Sequence, residues 1–131
     1  MSQENVELTR RAFAAFKDRD LDGLLAMMAD DVEAFPLLAG MEGGYRGHDG
    51  ISRWWTSLLG TFPDFCAEIV ELRDLGDWTI AVLRVRGHGA GSDTPVDATA
   101  WQVTLFRHGK CIGWHVFTSE REALELVRLA D

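Results

Sequence analysis

Trp101-Gln-Val-Thr-Leu-Phe-Arg107, then His108-Gly109, then Lys110-Cys-Ile-Gly-Trp-His-Val116 is the stretch that decides the fold. Two runs rich in aromatic and β-branched residues flank a dipeptide ending in glycine, the signature of a two-residue hairpin turn. A turn this short sets the register of the strands it joins. Arg107 is then expected opposite Lys110, Leu105 opposite Ile112, Val103 opposite Trp114 and Trp101 opposite Val116. The apolar members of this set share one face, expected to lie under helices. The other face would pair Ala100 with Phe117, Gln102 with His115, Thr104 with Gly113 and Phe106 with Cys111. That face is too apolar to be simply solvated and is expected to form a homodimer interface.

Working outward, Gly76-Asp77 is a second two-residue turn, and the strand period extends over Phe65–Leu75, Trp78–Arg86, Val96–Arg107 and Lys110–Thr118. Upstream the period is helical. Ser2–Arg19 carries Val6, Ala12, Phe13 and Phe16 on one side. Leu21, Leu24, Leu25 and Met28 follow helical spacing behind Asp20 as cap, and Ile51, Trp54, Trp55 and Leu58 mark a third helix. Val32–Leu38 reads as a lone early strand. Ser119-Glu-Arg-Glu122 is a capping box that opens a last helix. Helices followed by a run of strands predict a single α+β domain over residues 1–131, with a cone-shaped, curved, mostly antiparallel sheet wrapped around the N-terminal helices.

The 131 residues carry 13 Lys+Arg against 21 Asp+Glu, a net charge of −8, which disfavours nucleic acid as a partner. No apolar run approaches the roughly 20 residues of a membrane span. The opening MSQENVELTRRAF is polar and helix-like rather than a signal peptide. Cys66 and Cys111 form neither a CxxC motif nor a disulfide framework. A soluble, cytoplasmic domain with no membrane partner is expected.

Asp18-Arg-Asp20-Leu-Asp22-Gly23 matches half of a calcium loop, but Ala29 stands where the bidentate Glu is needed. Gly87-His-Gly-Ala-Gly91 follows a strand, yet no helix opens after it to hold a pyrophosphate. His48, His88, His108 and His115 form no metal-ligand pair, so neither metal nor cofactor is expected. There is no GxSxG, and neither cysteine has a local activating partner. His115 facing Gln102 is a proton donor held by an amide or an interface hydrogen bond. Trp54, Trp101 and Trp114, with Phe35, Tyr45 and Val116, line an aromatic cavity for a small apolar organic ligand or simply fill the core. Arg84 and Arg86 share one strand face. They bind an anionic group at a pocket mouth, or they pair with acids such as Glu33 or Asp97.

Leu21-Asp-Gly-Leu-Leu-Ala-Met-Met-Ala-Asp-Asp-Val-Glu33, Gly43-Gly-Tyr-Arg-Gly-His-Asp-Gly-Ile51, Gly109-Lys-Cys-Ile-Gly-Trp114 and Glu122-Ala-Leu124 together resemble the SnoaL-like branch of the nuclear transport factor 2-like superfamily. The resemblance covers nearly the whole chain. It implies a cone-shaped α+β barrel, usually dimeric through its sheet, in a family of polyketide cyclases, ketosteroid isomerases, epoxide hydrolases, dehydratases and binding proteins. It implies few catalytic residues. Where ketosteroid isomerases place a base, the only carboxylate is Glu33; their tyrosine falls near Ala12 and their second acid near Trp101. The epoxide hydrolase Asp corresponds to Val116, and its Arg–x–Asp most resembles Arg84-Val-Arg86. His115 is the candidate for a cyclase acid–base group. The expected function is small-molecule binding, with cyclisation, isomerisation or dehydration of a polyketide- or steroid-like ligand as possible chemistry; the alternative is a non-catalytic ligand-binding or dimerisation module.

Overall fold

The computed structural model describes residues 2–36, 44–91 and 95–130. Two helices open the chain, α1 (Ser2–Lys17) and α2 (Leu21–Ala26). Asp20 caps α2 by accepting the Gly23 N–H at 2.9 Å, which satisfies one of the donors every helix start leaves free. Strand β1 (Met28–Phe35) follows at once. It starts four residues earlier than the expected Val32, and Met28 is not helical. Val32 and Ala34 are buried with Glu33 exposed between them, as a strand alternates, while Asp30 and Asp31 are both exposed where the register against β6 shifts between Met28 and Glu33. The expected end of that strand, and Gly40 with Met41–Gly43 of the glycine-rich loop, lie outside the described residues.

A two-residue strand, β2 (Tyr45–Arg46), leads into α3 (Gly47–Thr61). Gly47 has φ +72°, a left-handed value that favours glycine at the strand-to-helix corner. The meander is β3 (Cys66–Leu75), β4 (Trp78–His88), β5 (Pro95–Arg107) and β6 (Lys110–Phe117), closed by α4 (Glu120–Ala130). Both expected tight turns form. His108 and Gly109 have φ +53° and +74°, as a primed hairpin turn demands. Ser119 Oγ accepts the Glu122 N–H at 3.4 Å, half of the expected capping box. The strand order is β2-β1-β6-β5-β4-β3, with β1 and β6 parallel and every other pair antiparallel. The sheet is curved and unclosed. Among the described residues no helix is long and apolar enough to cross a membrane.

The sheet buries both faces. On the inner face α1 and α3 cover Val32, Ala34, Leu83, Val85, Phe106, Cys111 and Trp114. On the outer face α4 brings Ala123 against Ile80 and Val103, all three fully buried, with Trp78, Trp101 and Phe117 around them. Arg73 anchors the helix by reaching Glu120 at 2.6 Å while it also pairs with Glu71.

The expected register of the last hairpin holds only at the turn. Arg107 faces Lys110 and Phe106 faces Cys111, but Leu105 faces Gly113, so Ile112 is an extra residue. Such a bulge shifts one strand past its partner and exchanges the faces of every residue beyond it. Trp114 and Val116 therefore do lie under the helices, but opposite Thr104 and Gln102 rather than Val103 and Trp101. Trp101 and Val103 are on the outer face under α4, and Phe106 is on the inner face. The expected outer patch of Phe106, His115 and Phe117 thus loses Phe106, and the His115–Gln102 pair does not form.

Candidate functional site

A cavity of about 120 Å³, partly open to solvent, lies between α1, α3 and the inner face of the sheet. α1 contributes Leu8, Ala12, Phe13 and Phe16, and α3 contributes Trp54 and Leu58. The floor is Leu83 and Val85 of β4, then Gln102, Thr104 and Phe106 of β5, then Cys111, Trp114 and Val116 of β6. Helical spacing explains the first group and strand alternation the second. The aromatic rings hold one another. Trp54 meets Trp114 edge to face at 5.0 Å, and Phe16 contacts Trp54, Trp55 and Phe65 at 5.8, 5.2 and 6.0 Å. Arg19 fastens this corner from outside. Its guanidinium lies 5.0 Å over the Phe16 ring and donates to the Phe65 carbonyl at 2.7 Å.

The polar content of the wall is small and specific. Gln102 Nε2 donates to Thr104 Oγ1 at 3.3 Å. Thr9 Oγ1 donates to the Asn5 carbonyl at 2.9 Å and meets Thr79 Oγ1 at 2.9 Å. Burial pushes the Cys111 thiol up to about 12, so it stays protonated and leans toward the Gly113 carbonyl at 3.7 Å. Trp114 Nε1 is different. The residue is 5% exposed, and its indole N–H has no hydrogen-bond partner among the described residues. A buried donor left unpaired costs on the order of 1–3 kcal/mol, and native interiors leave few. Among the described residues the wall contains no carboxylate, no imidazole and no cation.

Of the residues singled out from the sequence, the structure brings Trp54, Trp114 and Val116 together on the cavity wall. Trp101 is on the opposite face for the reason given. Phe35 is also outside, because β1 turns Val32 and Ala34 inward and therefore Phe35 outward. There its ring lies tilted against His115 with centroids 4.2 Å apart, and His115 stacks with Phe117 at 5.8 Å. Tyr45 pairs with Ala34 and packs over the start of α3, where a Cβ on Gly50 would come within 3.4 Å of its own Cβ. His115 is half-buried outside the cavity. Burial lowers its pKa, and the charge of Glu33 partly offsets that. Glu33 itself is exposed and pairs with Arg46 at 2.9 Å.

Arg84 and Arg86 also face outward. Arg84 grips Asp97 through Nε and Nη2, each at 3.1 Å, and this hydrogen bonding holds the Asp97 carboxyl below the usual range. Arg86 lies opposite Asp97 in the β4–β5 ladder. Arg84 thus forms an ion pair with Asp97, at exposed positions where such pairs contribute little to stability. His48 sits in the first turn of α3, with Nε2 3.1 Å from the Met28 carbonyl. His88 closes β4 and meets Asp64 Oδ2 at 2.8 Å through Nδ1.

Sequence reasoning missed Gln102, Thr104, Phe106 and Cys111 as wall residues, since all four were assigned to the outer face. The signal that recovers them is the fixed inward parity of Trp114 combined with a bulge, and Gly113 is the mark of that bulge. A Cβ there would lie 3.2 Å from the Glu33 carbonyl of the neighbouring strand.

With this fold and cavity in place, the likeness to known proteins is consistent. The chain belongs to the SnoaL-like domain family, which matches residues 9–114. Among solved structures it resembles an NTF2-like protein of unknown function from Burkholderia pseudomallei K96243, at 20% identity over 96% of each chain, TM-score 0.80. It also resembles TerC, crystallised with polyporic acid, at 22% identity over 95% of this chain and 98% of that one, TM-score 0.78. A third likeness is to a protein from Jannaschia sp. CCS1 whose assignment as a SnoaL-like polyketide cyclase is provisional, at 18% identity over 94% and 90%, TM-score 0.79. At these identities the likenesses establish the fold alone. No curated protein matches the chain in sequence.

Proposed function

We propose that this SnoaL-like domain binds one small, neutral, largely apolar organic molecule in the cavity between α1, α3 and the sheet. The supporting observation is the wall itself: aromatic and aliphatic, with Thr9, Gln102, Thr104, the Cys111 thiol and the Trp114 indole as its neutral polar groups and no carboxylate, imidazole or cation among the described residues. Such a wall offers nothing to compensate the desolvation of an ion. Its size sets the ligand. An engineered cavity of roughly 150 Å³ accepts benzene, so about 120 Å³ encloses at most a single ring, and any substituent extends toward the open side. A polyketide- or steroid-like molecule of several rings would have to extend through the open side.

Proton-transfer catalysis is the second reading, favoured by the cyclase assigned among the structural relatives. It needs an acid–base group in the cavity, which the described wall does not supply. The outer face supports a further part of the reading. A second copy of this chain would cover the half-buried cluster of Phe35, His115 and Phe117, a homodimer that sedimentation at micromolar concentration tests.

Binding is tested by titrating the protein with toluene, ethylbenzene and acetophenone while following tryptophan fluorescence and thermal unfolding. A ligand that binds only the folded state raises the midpoint with concentration, and Trp54 and Trp114 report it directly. A midpoint and emission unmoved by all three probes at millimolar concentration overturn the proposal.

A further inference from the structure

Gln102 sits in mid-sheet, opposite Ala81 of β4 and Val116 of β6, and turns its side chain into the cavity. The other polar groups of the wall are spent or shut off. Thr9 Oγ1 donates to the Asn5 carbonyl and meets Thr79 Oγ1. The Cys111 thiol is directed at the Gly113 carbonyl. Thr104 Oγ1 already accepts from Gln102 Nε2 at 3.3 Å. The Trp114 indole nitrogen is sealed from solvent. The Gln102 carboxamide oxygen differs from all of these. It makes no hydrogen bond among the described residues. Nor is it sealed in, since Trp114 Nε1 is the only buried side-chain nitrogen or oxygen without a partner among those residues. On an inward-facing side chain, that open acceptor looks into the cavity. It also lies toward the more open part of the floor: farther along β5, Thr104 and Phe106 are buried, whereas Gln102 is half-buried.

Resting on the reading of this cavity as a small-molecule site, we propose that the ligand carries a neutral hydroxyl on its ring, as a phenol does, and that this hydroxyl donates to the Gln102 carboxamide oxygen. A carboxamide oxygen only accepts, so its partner must bring a proton. An ammonium group brings a charge that no carboxylate of the described wall meets. A hydrocarbon displaces water from the oxygen and returns nothing. A phenolic hydroxyl supplies the proton without charge and leaves the ring to Phe16, Trp54 and Val116. Gln102 is then the residue that sets which single-ring compounds are held.

The experiment compares phenol with toluene, which have nearly the same shape, and with acetophenone, which can only accept, by calorimetric titration of the wild type and of Gln102→Leu. The wild type is expected to bind all three. Gln102→Leu is expected to weaken phenol about 3- to 10-fold, the worth of one neutral hydrogen bond, and to leave toluene unchanged or tighter. In the wild type, the Gln102 ¹³Cδ resonance is expected to move downfield on saturation with phenol and to lack that shift with toluene. This resonance decides the matter even where Gln102→Leu does not fold. Equal loss of phenol and toluene, or a ¹³Cδ resonance that responds alike to both, overturns the hydroxyl assignment while leaving the cavity as a binding site. Loss of acetophenone as large as that of phenol assigns the contact to the amide N–H and overturns it too. Failure of all three probes to bind overturns the binding reading itself.

Discussion

Thr9 and Thr79 form a buried hydroxyl pair whose two halves are not equivalent. They are 2% and 0% exposed, so water cannot stand in for either partner. Thr9 spends its one proton on the Asn5 carbonyl. Thr79 must then be the donor across the 2.9 Å contact between them. Thr9→Val keeps nearly the same shape but leaves the Thr79 hydroxyl buried without an acceptor, at a cost of about 1–3 kcal/mol. Thr79→Val removes one neutral bond and leaves Thr9 still bonded to Asn5, at a cost of about 0.5–1.5 kcal/mol. The double variant has no stranded hydroxyl, so its cost falls short of the sum by about 1 kcal/mol. For a domain of this size about 1 kcal/mol moves the midpoint by roughly 3–5 °C. Denaturant and thermal unfolding of the four proteins read the whole cycle. A double variant whose cost equals the sum of the singles, or a Thr9→Val indistinguishable from wild type, refutes the reasoning. The cycle bears on function because Thr9 seats the helix whose Ala12, Phe13 and Phe16 roof the cavity.

Three further outcomes follow from the same structure. The lowered pKa of His115 means the folded state prefers neutral imidazole. That stability is present above the unfolded value of about 6.5 and is lost as pH falls through the lower folded value; His115→Phe should flatten the dependence in this window, and an unchanged slope would show that other groups cause it. Trp101→Ala should cost about 2–4 kcal/mol yet leave acetophenone binding intact, since Trp101 packs under α4 and not on the cavity; weakened binding would return it to the site. Alkylation at pH 8 should label exposed Cys66 and spare buried Cys111 until the protein unfolds, as Cys111 is held protonated up to about 12; equal labelling of both in the native state contradicts the burial.

Elements with an unambiguous period were legible in the sequence, and so were their punctuation marks. The helices carrying Phe16 and Trp54, the turns at Gly76-Asp77 and His108-Gly109, and the caps at Asp20 and Ser119 all depend on local chemistry. The face assignment of β5 was not legible, because alternation tells two faces apart only when one of them is polar. Here Trp101, Val103 and Leu105 alternate with Gln102, Thr104 and Phe106, and both sets bury large apolar area, one under α4 and one under α1 and α3. Position relative to β6 was the only guide left, and one inserted residue reverses it. The orientation of Arg84 and Arg86 was open for the same reason: the opposite face of β4, with Thr79, Ala81, Leu83 and Val85, is apolar, but Trp78, Ile80 and Val82 are apolar too.

That inserted residue also decides which side chains line the cavity. With the plain register, Trp101, Val103 and Leu105 would lie beside Trp114 and Val116, and these side chains would offer no hydrogen-bonding group except two indole N–H donors. The bulge at Ile112 turns β5 over relative to β6 and replaces those three with Gln102, Thr104 and Phe106. Trp101 gives way to the smaller Gln102 and Val103 to the similarly shaped Thr104, which supplies hydrogen-bonding groups on the side of Trp114 and Val116. The bulky residues displaced from the inner face are not lost to solvent, because α4 buries Val103 and partly covers Trp101. The stability of the sheet and the chemistry of the cavity are therefore separated onto its two sides. Changes on the α4 side should act on unfolding alone, whereas changes at Gln102, Thr104 or Trp114 should act on which ligand is held.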